Sequence, residues 1–222
     1  LDVLESGGDA EILAQRNLIT HTTGRITSME RLNKEWYEVT FDGDLSQIAV
    51  GDLITRTCYP EVLIRNCRMG NNRARGLLLG SRKKTIVEGC YFHTPGAAIL
   101  FEGDGYYWYE QAGVRDVEIR NCVFDNCLYG AATWGDAIIA TGNGPKHDRE
   151  RSRYHRNIRV EGNTFRVFDP RIVNLYCVDG FVFTQDNVIE YTDDYPVLPG
   201  EKRNFITRNC DNIVIEKEQT DK

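Results

Sequence analysis

The densest run of chemically capable side chains is Glu102-Gly-Asp-Gly-Tyr-Tyr-Trp-Tyr-Glu110, which sets three carboxylates and four consecutive aromatics on a glycine-bearing stretch. Four adjacent rings are costly to leave in water without a purpose. Aromatic faces cover the apolar C–H patches of a sugar ring, and carboxylates bind its hydroxyls or move protons, so the combination points to carbohydrate chemistry. A second reading, that the rings simply cap the side or end of a core, stays open. Cleaving a glycosidic bond takes two carboxyl groups, roughly 5–5.5 Å apart for retention or roughly 6.5–9.5 Å for inversion. Glu102, Asp104 and Glu110 are the catalytic candidates, with Asp136 a further carboxylate for the pocket. Trp108, Tyr109 and Trp134 are candidate sugar platforms. Arg73, Arg75 and Arg82 flank the run Gly76 to Leu79 and can clamp hydroxyls or a carboxylate, or else pair with a neighbouring acid such as Glu88.

Other chemistries leave no signature. His93 sits at a Thr-Pro-Gly bend and reads as structural, while His21, His147 and His155 form no ligand cluster. There is no GxSxG elbow, HExxH pair, phosphate loop with its lysine, or Asp-rich calcium loop. The seven cysteines are an odd number, with no CxxC pair and no His at metal-ligand spacing, so neither a structural zinc nor a cofactor is expected. Most of them read as small buried residues. With 33 acidic and 27 basic residues the formal net charge is -6, which argues against nucleic acid as a partner. No apolar run approaches the roughly 18 residues that cross a bilayer. The chain opens at Leu1 without a signal-type segment, and a secreted, periplasmic or cell-surface protein whose leader is absent from this sequence is expected.

The elements that must position these side chains repeat. Val62-Leu-Ile-Arg-Asn-Cys67, Ile86-Val-Glu-Gly-Cys90, Val117-Glu-Ile-Arg-Asn-Cys122 and Ile158-Arg-Val-Glu-Gly-Asn163 share a period-2 pattern, and each is followed two residues on by Met69, Phe92, Phe124 or Phe165. Weaker copies run from Phe181 to Asn187 and from Ile213 to Ile215. Aligning Ile64, Val87, Ile119, Val160, Phe183 and Ile215 gives spacings of 23, 32, 41, 23 and 32 residues, a repeat with insertions. A second apolar run follows in the early copies, at Leu77–Leu79, Ala97–Phe101, Ala131–Ala140 and Ile172–Tyr176. Several strands per turn with no helical period between them predict an all-β protein, a right-handed parallel β-helix of about six coils over residues 58–222. Strands about 4.8 Å apart would stack equivalent residues directly, making Cys67, Cys90, Cys122, Asn163 and Asn187 an interior ladder. A disulfide between stacked cysteines is doubtful on side-chain direction.

Residues 1–57 lack the repeat. Gly24 to Phe41 and Ile48 to Thr57 read as strands around turns at Asn33-Lys34 and Asp42-Gly43, an antiparallel β-barrel-like segment, although Met29, Leu32 and Trp36 also fit one face of a helix. Insertions at 103–116, 142–156 and 191–203 are where a solenoid carries its sites.

Three motifs in order, Asn71-Asn-Arg-Ala-Arg-Gly-Leu-Leu-Leu79, Phe92-His-Thr-Pro-Gly-Ala-Ala-Ile-Leu100, and Gly103-Asp with Tyr107-Trp-Tyr-Glu110 and Val114-Arg-Asp-Val117, resemble glycoside hydrolase family 110 over about residues 60 to 140. The resemblance implies a metal-independent exo-enzyme that removes terminal α-1,3-linked galactose from glycans with inversion, built as a β-helix with inserted barrel elements. Residues 1–57 would then be part of such a barrel. The family's paired-aspartate motif and the His-Gly-Thr-Tyr stretch after it have no counterpart here. The chain therefore resembles the C-terminal portion of the catalytic β-helix, with an upstream segment of the same enzyme as expected partner. The resemblance implies that Trp108, Glu110, Asp104 and the arginines Arg73, Arg75 and Arg82 contribute to the sugar pocket, and Tyr109, Trp134 and Asp136 join them as substrate contacts on their residue types. Two rivals remain: another β-helix polysaccharide-degrading enzyme, a lyase or hydrolase, and a non-catalytic carbohydrate-binding β-helix.

Overall fold

The computed structural model describes residues 4–103, 105–106, 109, 113–142, 144–145, 147–197, 199–200 and 202–216. From residue 62 onward the chain visits three parallel sheets in turn. The first holds β5 (Val62–Arg65), β8 (Thr85–Glu88), β11 (Arg115–Arg120), β14 (His155–Glu161), β17 (Val178–Phe183) and β20 (Asp211–Ile215). The second holds β6 (Arg68–Gly70), β9 (Tyr91–His93), β12 (Val123–Asp125), β15 (Thr164–Val167) and β18 (Val188–Tyr191). The third holds β7 (Leu77–Leu79), β10 (Ile99–Phe101), β13 (Ile139–Thr141), β16 (Val173–Tyr176) and β19 (Phe205–Arg208). Every strand pairs with the strand three places on, so each turn of chain stacks on the last.

The register is the one the repeat predicts: Ile64 pairs with Val87, Val87 with Ile119, Ile119 with Val160, Val160 with Phe183 and Phe183 with Ile215. Val87, Ile119 and Val160 are fully buried, as are the stacked rings of Phe92, Phe124 and Phe165, whose centroids lie 5.0 and 4.7 Å apart. The recurring Asn or Gly before the inward residue has a backbone cause. Asn66, Gly89, Asn121 and Gly162 have φ of 54, 60, 53 and 61°, the left-handed region open mainly to these two residue types. That corner swings the next side chain inward, and Cys90, Cys122 and Asn163 are buried, while Cys67 on the first turn is exposed. The predicted ladder is present. The Cys122 N–H donates to Asn163 Oδ1 at 2.9 Å, and Asn163 Nδ2 donates to Asn187 Oδ1 at 2.9 Å and to the Ile119 carbonyl at 3.0 Å. All seven cysteines are free thiols.

The N-terminal residues form a four-stranded antiparallel sheet, β1 (Asp9–Leu13), β2 (Thr20–Arg31), β3 (Tyr37–Phe41) and β4 (Leu53–Arg56), in the order β3-β2-β1-β4. Met29 lies in β2, so the helical alternative for that stretch does not hold. Asn33 makes the turn, its Oδ1 accepting the Glu35 and Trp36 N–H groups at 2.9 and 3.0 Å. Ala10, Ile12, Ile26 and Phe41 form this sheet's own small core.

Candidate functional site

Along the third sheet the side chains alternate: Ile99 and Phe101 fill the interior, while Leu100 and Glu102 point to the outer face. Phe101 pairs with Thr141, Ala140 with Asn174, and Tyr176 with Arg208. The position one step past Phe101 is therefore occupied in successive turns by Glu102, Gly142, Tyr176 and Arg208. Gly142 interrupts that column, and a Cβ placed on it would run into the Glu102 carboxylate. The missing side chain opens a cavity of about 210 Å³ lined by Glu102, Asp136, Arg75, Arg149, Thr141 and Tyr176, with Leu100, Thr133, Gly135 and Gly142 completing the wall.

Main-chain geometry and local bonds hold these groups in place. The Tyr176 N–H donates to Thr141 Oγ1 at 2.6 Å, the Arg208 guanidinium donates to the Tyr176 hydroxyl, and its carbon lies 5.2 Å from the ring centroid. Arg149 opens a single 3-10 turn, Arg149–Arg151, and its Nε donates to the Pro145 carbonyl at 2.5 Å. Asn72 Nδ2 donates to the Arg75 carbonyl, fixing the approach to β7. Arg75 Nε is buried without a hydrogen-bond partner among the described residues, on a side chain that lines the cavity. Two carboxylates and two guanidiniums thus share one small concave space. Such a set can hydrogen-bond several hydroxyls and move protons, and among the described residues no group of three or more His, Cys, Asp or Glu side chains could hold a metal ion.

Of the predicted residues, the structure brings Glu102, Arg75 and Asp136 together. Trp134 ends the 3-10 turn Ala132–Trp134 between the lining residues Thr133 and Gly135 but does not itself line the cavity, and its carbonyl accepts the Ala97 N–H at 3.0 Å. Tyr109 and Arg73 are exposed. Arg82 is elsewhere: it forms an ion pair with Glu11 of β1, both side chains about 5% exposed or less, and it does not line this cavity. The acid Glu88 is taken instead by Arg65, at 2.8 Å. Asp104, Trp108 and Glu110 lie outside the described residues. Thr141, Arg149 and Tyr176 were not among the candidates read from sequence.

No family model matches the chain. Among curated proteins it is 34% identical over 206 residues to alpha-1,3-galactosidase B of Bacteroides thetaiotaomicron, a stretch covering 91% of this chain and 33% of that protein. It is 35% identical over 198 residues to alpha-1,3-galactosidase B of Akkermansia muciniphila, covering 87% and 25%. The chain is a relative of the α-1,3-galactosidases. The likeness to glycoside hydrolase family 110 read from residues 60 to 140 extends over most of the chain, and alpha-1,3-galactosidase A of Bacteroides fragilis adds 33% identity over 195 residues, 86% of this chain and 32% of that one. The chain spans a quarter to a third of the length of the curated α-1,3-galactosidases it matches.

Proposed function

We propose that this chain is the C-terminal portion of an exo-acting α-1,3-galactosidase, a glycoside hydrolase that removes terminal α-1,3-linked galactose from glycans with inversion. In this reading residues 58–222 are a right-handed parallel β-helix, residues 1–57 are part of an inserted barrel, an upstream segment of the same enzyme completes the site, and the protein works outside the cytoplasm. The observation that carries the proposal is the Glu102 cavity. At about 210 Å³ it is smaller than the roughly 300–1,000 Å³ of drug-sized sites, a fit for one terminal sugar and not for an internal stretch of polysaccharide. The names of the relatives point to the same linkage.

In an inverting reaction one carboxylic acid protonates the leaving oxygen while a carboxylate on the opposite face activates water. Glu102 is the chain's foremost contributor to that pair, with Asp104 and Glu110 on the insertion that follows it, and Asp136 is placed to bind hydroxyls. Arg75 and Arg149 hold the sugar's oxygens from either side, and Tyr176, anchored by Arg208 and Thr141, closes the floor. Trp134, Trp108 and Tyr109 supply apolar faces toward the aglycone.

The test is release of galactose from an α-1,3-galactosyl disaccharide by the intact protein, with α-1,4 and α-1,6 isomers as controls and the product anomer followed by NMR. Fast release from the α-1,3 isomer with β-galactose formed first is expected. Calcium-dependent formation of unsaturated products, or binding without turnover by the folded intact protein, would overturn the reading.

A further inference from the structure

A second cavity, of about 590 Å³, lies between the antiparallel sheet and the first parallel sheet, and five arginines and two carboxylates line it. Positive charge concentrated there is notable in a chain whose formal net charge is -6. Its origin is in the strand register. Asp116, Asn157 and Gly180 occupy successive turns at left-handed φ of 59, 51 and 83°, interrupting the alternation of β11, β14 and β17 one residue before the buried Val117, Ile158 and Phe181. That break releases the preceding residues, Arg115, Arg156 and Asp179, from the core and stacks them on adjacent strands facing the cavity.

The charges do not cancel locally. Arg82 is bound to Glu11, Arg153 to Asp211 at 2.8 Å, and Asp179 accepts Asn212 Nδ2 at 2.7 Å. Among the described residues Arg156 reaches only the Arg153 carbonyl, at 3.1 Å through Nε. Arg115 Nε is buried without a hydrogen-bond partner among the described residues, and burial, then repulsion from Arg82 and Arg156, holds this guanidinium below its ordinary pKa. Like charges directly opposite on paired strands destabilise a sheet, and a buried donor left unpaired costs its desolvation. A doubly charged group accepting from both guanidiniums relieves both penalties, and the arginine fork suits oxyanion geometry.

We propose that this cavity is a binding site for a tetrahedral oxyanion, a sulfate or phosphate group, held between Arg115 and Arg156 with Thr20 and Tyr154 on its walls. Such a group arrives either as a free ion or as a substituent on a glycan. The site does not depend on the galactosidase reading, since it shares none of the Glu102 cavity's lining residues.

The test is calorimetric titration of the intact protein with sodium sulfate at constant ionic strength, with chloride as control. Saturable sulfate binding is expected, weakened at least tenfold in Arg115→Met and in Arg156→Met and unchanged in Arg68→Met. Arg156 is exposed, so its variant carries the test if Arg115→Met fails to fold. Galactose 6-sulfate and galactose form the second arm: tighter binding of the sulfated sugar than of inorganic sulfate assigns the anion to a glycan, and the reverse order assigns it to a free ion. Sulfate heats no larger than those of chloride, or equal affinity in the wild type and both cavity variants, would overturn the proposal.

Discussion

At Gly142 a hydrogen stands where every other member of the Glu102, Tyr176 and Arg208 column carries a long side chain, and the cavity exists because of it. Gly142→Ala adds one methyl group in contact with the tip of a flexible glutamate, so the carboxylate moves and the backbone does not. A shift of about 1 Å at a reacting group can cost on the order of 100-fold in rate. Under the proposed function, Gly142→Ala is therefore expected to lower galactose release by that order while leaving the melting temperature within a few degrees of wild type; an alanine variant of full activity would remove Glu102 from the chemistry. His155 offers a second residue-level test. It is wholly buried between the rings of Phe101 and Tyr154, its Nδ1 accepts the Val114 N–H at 3.1 Å, and burial, with a smaller push from Arg82, lowers its pKa to about 3. The folded protein thus keeps the ring neutral while the unfolded chain protonates near pH 6.5. Stability from this residue is complete above pH 6.5 and declines as pH falls from there toward 3, by about 1.4 kcal/mol per unit. Urea denaturation at pH 7 and pH 5 should show a smaller pH-dependent loss in His155→Phe than in wild type, and equal losses would count against the assignment.

Among the elements, the corner between the first and second sheets was the most legible part of the chain, for a physical reason. Asn66, Gly89, Asn121 and Gly162 must adopt left-handed φ, the following residue must point inward, and the third residue after the corner must fill the ring stack, so three constraints recur at fixed offsets. The ladder residue is expected to be costly to remove: Asn163→Ala strands the Cys122 N–H in the interior and should destabilise by about 2–4 kcal/mol in chemical denaturation. Gly162→Ala should cost less, about 1–2 kcal/mol, from left-handed strain, although its Cβ also meets Asn121 Oδ1 at 2.8 Å. The reverse order would show that packing at the corner outweighs the ladder. The cavity was legible only where its residues sit beside the motifs. Glu102, Arg75 and Asp136 do, but Thr141, Arg149 and Tyr176 meet Glu102 only through stacking, across unequal loops that leave no fixed spacing to read. Strand β1 was missed because five residues behind Gly7-Gly8 make a weak pattern, and with it the partner of Arg82.

Across the whole molecule, that partner matters more than a single residue suggests. Glu11 accepts from Arg82 and, at 2.8 Å, from Thr20 Oγ1, tying the antiparallel sheet to the loop that follows β7. Leaving one buried charge without the other typically costs 3–5 kcal/mol, whereas replacing both with apolar groups is often nearly neutral. Glu11→Leu alone should therefore destabilise by about 3–5 kcal/mol, and Glu11→Leu with Arg82→Met should recover most of the loss; a double variant as weak as the single one would show that Thr20 and the backbone carry the joint. The column beneath the Glu102 cavity has a different consequence at this scale. Its four positions come from four successive turns, set in register by the main-chain pairing of the third sheet. The floor of the pocket can thus be rewritten a codon at a time with the scaffold untouched, so a directed-evolution library for new terminal sugars keeps Glu102 and needs diversity at the other three places, none of them neighbours in the gene.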